Sequence, residues 1–116
     1  MADDEPVILD AARQMLMKSG YSVHACVTGR EAVGYFKEHH GEIHLVILDM
    51  IMPEMDGREA FREMKKIDPG VRVLLSSGYS EEGEAQSMSS EGICGFVQKP
   101  YRMAELTVKV RQALDR

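Results

Sequence analysis

The chain has 116 residues, of which 14 are Lys or Arg and 19 are Asp or Glu, so its formal net charge is −5. This length fits a single domain over residues 1–116, and the negative charge argues against general binding to nucleic acid. There is no apolar run near the roughly 20 residues that cross a bilayer, and no secretory signal is visible at the acidic start. We therefore expect a soluble, cytoplasmic protein without a membrane partner.

Helices and strands alternate along the predicted chain. Helices are predicted near residues 6–19, 29–40, 58–67, 80–91 and 103–114. Strands are predicted over residues 21–27, 43–48, 71–75 and 94–97. Asp3 or Asp4 can cap the first helix, and Thr28 the second. Strict alternation with short connections is typical of βαβ units, which form a mostly parallel sheet with helices on both faces.

Polar side chains gather at the carboxyl ends of these strands, where an open α/β sheet binds its ligands. Asp49 ends one strand, Ser76–Ser77 the next, and Lys99 follows the last, while Asp3–Asp4 precedes the first helix. Clustered carboxylates either have raised pKa values or need a compensating cation, and oxygen ligands without His or Cys favour Mg²⁺. A lysine and a hydroxyl beside that ion suit a phosphoryl group, which a carboxylate can accept as an aspartyl phosphate.

Four blocks of the sequence resemble the signature blocks of two-component receiver domains, in the same order and with the same separations. They are Asp3–Pro6, Asp49–Gly57, Ser77–Gly78 and Lys99–Pro100. The segment Leu74–Tyr79 is most similar to receiver modules of hybrid histidine kinases. The resemblance implies a flavodoxin-like (CheY-like) open parallel sheet with strand order 2-1-3-4-5.

The resemblance also implies roles for residues of the phosphorylation site. Asp49 would be the phosphoacceptor, and Lys99 would pair first with Asp49 and then with the phosphoryl oxygens. Asp4 would bind Mg²⁺ directly and Asp3 through water. Asp49 and the backbone carbonyl of Ile51 would complete the protein's share of the metal ligands.

Further positions are implied to act in switching. Ser77 would be the switch hydroxyl, and Phe96 the aromatic side chain that turns inward on activation and acts by packing alone. Pro100 would follow a cis peptide bond. Ile51 and Tyr79 stand where receivers tune the lifetime of the phosphorylated state, and neither orients an attacking water well. We therefore expect slow self-hydrolysis.

The implied function is that of a response regulator receiver in a phosphorelay. It would take a phosphoryl group from a histidine kinase or histidine phosphotransfer domain and would not be a turnover enzyme. The alternative is a degenerate receiver that acts only as an interaction or dimerisation module. A small Mg²⁺-dependent phosphatase or nucleotide-binding enzyme is disfavoured, because no Gly-rich loop follows a first strand.

The start of the chain departs from the receiver pattern, because only Met1 and Ala2 precede the acidic pair. Two residues span roughly 7 Å, too little for the central strand that receivers have there. Three explanations are open: a truncated start, which we favour; a second copy that supplies the strand in an exchanged homodimer; or a remodelled sheet with a gap. If the sequence is complete, the Mg²⁺ site is doubtful, because Asp3 and Asp4 lose the strand that positions them.

Overall fold

The computed structural model describes residues 1–78 and 91–115, in which helices cover both faces of a parallel sheet. The helices are α1 (Pro6–Lys18), α2 (Gly29–His39), α3 (Gly57–Ile67) and α4 (Met103–Leu114), with a short 3₁₀ helix at His40–Glu42. The strands are β1 (Val46–Asp49), β2 (Val73–Ser77) and β3 (Gly95–Gln98). No helix in these two ranges is long and apolar enough to cross a membrane. Tyr79 and the helix predicted over residues 80–91, except its last residue, lie outside the described residues.

The strand order confirms the predicted fold class. β2 lies between β1 and β3, and all three strands are parallel. Ala2 continues the sheet beyond β1, since it forms one parallel bridge to Leu48 and another to Cys26. Read across the sheet, the order is therefore the Cys26 segment, the Ala2 segment, β1, β2 and β3, which is 2-1-3-4-5 in receiver terms.

The prediction of a strand over residues 21–27 is wrong for most of this segment. In the structure this segment is extended but joins the sheet only through the bridge at Cys26. A strand needs a neighbour along its length, and the Ala2 segment is too short to supply one. The other predicted strands are present but begin later, at Val46, Val73 and Gly95.

Local side-chain contacts explain where two helices begin. The Thr28 hydroxyl accepts the Glu31 backbone N–H at 3.0 Å, which confirms the predicted cap of α2. The prediction that Asp3 or Asp4 caps α1 is wrong, because Glu5 occupies the cap position without a side-chain hydrogen bond. Asp3 is held in the sheet by its own backbone, so α1 begins only at Pro6.

Two apolar layers pack against the sheet. One layer contacts α2 and α3 and includes Phe36, Leu48, Phe61, Met64 and Leu75. The other contacts α1 and α4 and includes Leu16, Ile47, Leu74, Leu106 and Val110. Because successive residues of β1 face opposite layers, the strand is buried on both sides, as the aliphatic run predicts. Asp49 thus emerges from the core at the carboxyl edge of the sheet.

Candidate functional site

Backbone hydrogen bonds fix the two buried carboxylates at the carboxyl edge of the sheet. The Asp49 N–H donates to the Ala2 carbonyl at 2.9 Å, and the Asp3 N–H donates to the Cys26 carbonyl at 3.1 Å. The Ala2 N–H donates to the Ile47 carbonyl at 2.8 Å. Pairing on both sides therefore positions Asp3 without a full strand before it. The sequence left the metal site in doubt for a complete chain, and this pairing shows how Asp3 is nevertheless positioned.

Three carboxylates converge as the sequence predicts. One oxygen each of Asp3, Asp4 and Asp49 lies within 4.8 Å of the other two. Asp3 and Asp49 are buried, whereas Asp4 is exposed, so the group opens to solvent on one side. A set of carboxylate oxygens with one open side fits a hard divalent cation such as Mg²⁺, which keeps several of its waters.

Lys99 is the cation at the centre of this site. Its Nζ donates to Asp49 Oδ2 at 3.1 Å, Asp3 Oδ2 at 3.2 Å and Glu5 Oε1 at 3.4 Å. Its backbone N–H donates to the Ser77 carbonyl at 2.8 Å, and the peptide bond that follows it, to Pro100, is cis. The continuation of β3 thus carries the ammonium group to the end of β1.

Sequence reasoning missed Glu5 as a member of the site. Its side chain is 58% exposed, yet it lies within an ion-pair distance of 3.4 Å from the Lys99 ammonium group. Its place directly after Asp3–Asp4 is the signal that could have identified it. That signal is weak, because an acidic residue before a helix also favours the helix dipole.

Burial and charge shift the pKa values of the central pair. Burial raises the pKa of Asp49 to about 6, and the neighbouring Asp3 charge adds to this effect, while the hydrogen bond from Lys99 opposes it. Burial alone would lower the pKa of Lys99, but its hydrogen bonds and attraction to Asp49 and Asp3 raise it well above its usual range. One ammonium group is therefore hydrogen-bonded to two buried carboxylates, and the negative charges of the site outnumber the positive charge.

The serines at the end of β2 lie beside this cluster. Ser76 is paired in register with Asp49, and Ser77, the last residue of β2, is 2% exposed. The Tyr101 hydroxyl and Ser76 Oγ are both buried without a hydrogen-bond partner among the described residues, and burial raises the pKa of Tyr101 to about 12. Tyr101 is not among the site residues predicted from the sequence. Its position two residues after Lys99 was the available signal.

The other predicted positions surround the site at greater distance. Phe96 lies in β3 beside Leu75 and packs, partly buried, against the layer beneath α2 and α3. Ile51 is 62% exposed, and its backbone N–H is 3.5 Å from Asp49 Oδ1.

Gly57 brings α3 against the strand end that carries Asp49. Its N–H donates to the Met50 carbonyl at 3.0 Å. A Cβ at this position would lie only 2.5 Å from the Asp49 carbonyl oxygen, a distance that side chains do not tolerate. Asp56 caps the helix by accepting the Glu59 N–H at 2.9 Å. The Asp56–Gly57 pair therefore sets both the start of α3 and its approach to the site.

Comparisons with known proteins agree on one family. The model of the response regulator receiver domain matches residues 1–111. The sensor kinase CckA of Brucella abortus is 32% identical over 116 residues, which cover all of this chain but only 12% of that protein. A receiver domain protein from Clostridium thermocellum has a TM-score of 0.92 and 30% identity, covering 99% of this chain and 91% of the other. The CheX-CheY-BeF3-Mg+2 complex from Borrelia burgdorferi has a TM-score of 0.89 and 27% identity, covering 94% and 82%.

Proposed function

The chain belongs to the response regulator receiver domain family of two-component systems, and on this premise we propose that it is a phosphoacceptor domain with Asp49 as the acceptor. The donor is the phosphohistidine of a histidine kinase or histidine phosphotransfer domain. The observation that carries the proposal is the Lys99 ammonium group, which lies within 3.2 Å of both Asp49 and Asp3 at the edge of the sheet. The domain changes state once per phosphoryl group and is not a turnover enzyme.

The transfer uses the Asp49 carboxylate as the nucleophile. One of its oxygens attacks phosphorus, the P–N bond to the donor imidazole breaks, and the imidazole leaves with the electron pair. With a pKa of about 6, Asp49 is mostly ionised at neutral pH and so can attack. Lys99 moves from the carboxylate to the phosphoryl oxygens, where its charge stabilises the product.

Asp3, Asp4, Asp49 and the backbone carbonyl of Ile51 are the proposed Mg²⁺ ligands. When bound, Mg²⁺ supplies positive charge that offsets the negative charge of the transferred phosphoryl group. Asp3 Oδ1 accepts the Glu5 N–H at 2.9 Å, and Asp3 Oδ2 faces Lys99. Because both Asp3 oxygens already have partners, a water-mediated role suits Asp3, and direct ligation suits the exposed Asp4.

Phosphorylation is proposed to switch the surface formed by β3 and α4. It adds about −1.5 to −2 units of charge and new acceptor oxygens at Asp49. The Ser77 hydroxyl donates to these oxygens, and Phe96 repacks toward the core beside β2. A partner protein then binds the altered surface, in the cytoplasm where the kinase acts. An exchanged homodimer remains a separate prediction from the sequence.

Beryllofluoride with Mg²⁺ tests this proposal, since the same pair is named in the similar Borrelia complex. Backbone amide spectra of the wild type should change at Asp49, Ser77 and Phe96. Asp49→Asn should show no change, whereas Asp10→Asn, a carboxylate on the exposed face of α1, should respond like the wild type. No response in the wild type would support the degenerate receiver instead. An unchanged response in Asp49→Asn would contradict the assigned acceptor.

A further inference from the structure

Two hydroxyl groups beside the phosphorylation site are buried without hydrogen bonds. Ser76 is 0% exposed, and neither its Oγ nor the Tyr101 hydroxyl has a hydrogen-bond partner among the residues that the structure describes. A buried hydroxyl group without a partner raises the free energy of the state that contains it. Each of these two groups therefore favours any state of the protein in which it gains a partner.

The sheet register makes Ser76 an immediate neighbour of Asp49. The two residues are paired across β1 and β2, whose axes are about 4.8 Å apart. Side chains alternate along a strand, so Asp49 lies on the same face as Ile47, and Ser76 on the same face as Leu74. Ile47 and Leu74 belong to the layer that contacts α1 and α4. The Asp49 and Ser76 side chains thus lie next to each other on one face of the sheet.

Tyr101 reaches the same face from the segment after β3. It packs, partly buried, against the layer of Ile47 and Leu74. Burial raises the pKa of Tyr101 to about 12, the Ser76 side chain opposes this effect, and the Asp3 charge adds to it. The Tyr101 hydroxyl is therefore within electrostatic reach of Ser76 and of the acidic cluster, although it has no hydrogen bond to either.

The last two residues of β2 direct their hydroxyl groups to opposite faces of the sheet. Ser77 alternates with Ser76 and so lies on the face of Leu75, where Phe96 packs against the layer of α2 and α3. Each face thus combines a serine of β2 with an aromatic side chain from β3 or the segment after it. The switch proposed above uses only Ser77 and Phe96.

Lys99 links the second combination to the chemistry of Asp49. Its backbone N–H donates to the Ser77 carbonyl at 2.8 Å, and its ammonium group donates to Asp49 and Asp3 at 3.1 and 3.2 Å. Tyr101 follows two residues later, and α4 begins two residues after that. A movement of the Lys99 ammonium group to the phosphoryl oxygens therefore acts directly on the segment that carries Tyr101.

We infer that Ser76 and Tyr101 are positioning residues that form a hydrogen-bonded chain in the phosphorylated state, in which the Tyr101 hydroxyl donates to Ser76 Oγ and the Ser76 hydroxyl donates to the phosphorylated Asp49 side chain. This inference rests on the proposed function. The chain is not formed in the unphosphorylated state, so its hydrogen bonds shift the equilibrium toward the phosphorylated state. It also connects Asp49 to the start of α4, on the face of the sheet opposite to Ser77 and Phe96.

Titration with beryllofluoride in saturating Mg²⁺, followed by amide spectra, tests the chain. Tyr101→Phe should raise the half-saturating concentration about two- to tenfold, because one hydrogen bond is lost. Ser76→Ala should raise it about tenfold or more, because its bond is made to a charged group. The double variant should match Ser76→Ala, since Tyr101 acts only through Ser76. Unchanged affinities, or effects that multiply in the double variant, would overturn the inference.

Thermal unfolding in EDTA without beryllofluoride separates this role from a structural one. Both hydroxyl groups are unpaired in this state, so Tyr101→Phe and Ser76→Ala should each unfold within about 2 °C of the wild type. Hydroxyl groups that were already hydrogen-bonded would lower the unfolding temperature by about 4 °C or more when removed. That result would contradict the inference.

Two control variants remove hydroxyl groups far from the site. Tyr35→Phe changes a ring that is stacked between His24 and His39, and Ser19→Ala changes an exposed residue after α1. Both should bind beryllofluoride like the wild type. A wild type that does not respond to beryllofluoride would reject the proposed function and this inference with it. A normal response of the wild type with an unchanged affinity in Tyr101→Phe would reject the inference alone.

Discussion

The ammonium group of Lys99 lies 3.1 Å from the Asp49 carboxylate, although 50 positions separate the two residues in the chain. The same group lies 3.2 Å from Asp3, so a single cation is shared between two buried carboxylates. This imbalance makes the site receptive to a second cation. It also explains why the Asp3 charge raises the pKa of Asp49 while the hydrogen bond from Lys99 lowers it.

Asp49 should make the metal-free protein less stable as the pH rises. Its pKa of about 6 in the folded protein exceeds its usual value of 3.8, so the native state binds more protons between these two pH values. The free energy of unfolding therefore falls as Asp49 ionises, and Asp49→Asn should remove that fall. From pH 4 to pH 7, the variant should gain about 1–2 kcal/mol relative to the wild type, with solvent at the rim limiting the effect.

Urea unfolding in EDTA measures this difference. Asp10→Asn provides the control, because this carboxylate is exposed on α1 and pairs with Arg13. Its stability relative to the wild type should stay constant over the same pH range. If the stability of Asp49→Asn relative to the wild type were also constant over this pH range, the pKa of Asp49 would not be raised in the folded protein.

Replacing Lys99 should reveal the repulsion between Asp3 and Asp49 that its positive charge offsets. Lys99→Met leaves Asp3 and Asp49 buried without a positive partner, and we expect a loss of about 3–5 kcal/mol at pH 8 in EDTA. Mg²⁺ should recover more stability in this variant than in the wild type, because it replaces the missing charge. Differential scanning calorimetry with and without Mg²⁺ provides the measurement.

The control for Lys99→Met is Lys66→Met. Lys66 forms an ion pair with Glu63 on the exposed face of α3, with 73% of the Lys66 side chain accessible. Such pairs contribute little, so its loss should stay below about 1 kcal/mol and should not depend on Mg²⁺. Equal losses in the two variants would mean that Lys99 is an ordinary surface lysine.

Two glycines offer a matched test of how α3 approaches the site. Gly57→Ala places a Cβ against the Asp49 and Met50 backbone and should cost about 1–3 kcal/mol. Gly34→Ala, in the middle of α2 with open space around it, should instead stabilise by about 0.5–1 kcal/mol. Gly57→Ala should also weaken the beryllofluoride response. Thermal unfolding of both variants checks that the two stability changes have opposite signs. An increase in the stability of Gly57→Ala would contradict the close approach of α3 to the Asp49 backbone.

Ile51 should keep the phosphorylated state long-lived. Its side chain is 62% exposed next to Asp49 and has no polar atom to orient an attacking water. An amide at this position can supply one hydrogen bond, so Ile51→Asn should lose its phosphoryl group about two- to tenfold faster. Decay in Mg²⁺ buffer is followed by intact mass. Ile51→Leu, the apolar control, should match the wild type, and a decay in Ile51→Asn as slow as in the wild type would refute the prediction.

The residues of the site that lie at or just after the ends of strands could be predicted from the sequence. Asp49, Ser77 and Lys99 each follow or end an aliphatic run, and parallel strands bring their carboxyl ends to one edge. That rule requires only the order of the elements. It therefore located these residues even though the strand boundaries differed by up to three positions.

The first two residues were harder to predict, because their effect depends on pairing across the sheet. Counting residues before Asp3 led to the expectation that the acidic pair would lose the strand that positions it. Counting did not reveal that Ala2 pairs with both neighbours and fixes Asp3 without a full strand. Glu5 was missed because its contact with Lys99 spans 94 positions and its place directly after Asp3–Asp4 is only a weak signal.

The identity of the phosphoacceptor is tested most directly by intact and peptide mass spectrometry after incubation with a phosphorylated histidine phosphotransfer domain and Mg²⁺. We predict a gain of a single phosphoryl group in the wild type, located on the peptide that contains Asp49 and removed by hydroxylamine, and none in Asp49→Asn. Asp10→Asn should be phosphorylated like the wild type. A phosphoryl group on another residue, or full phosphorylation of Asp49→Asn, would contradict the account.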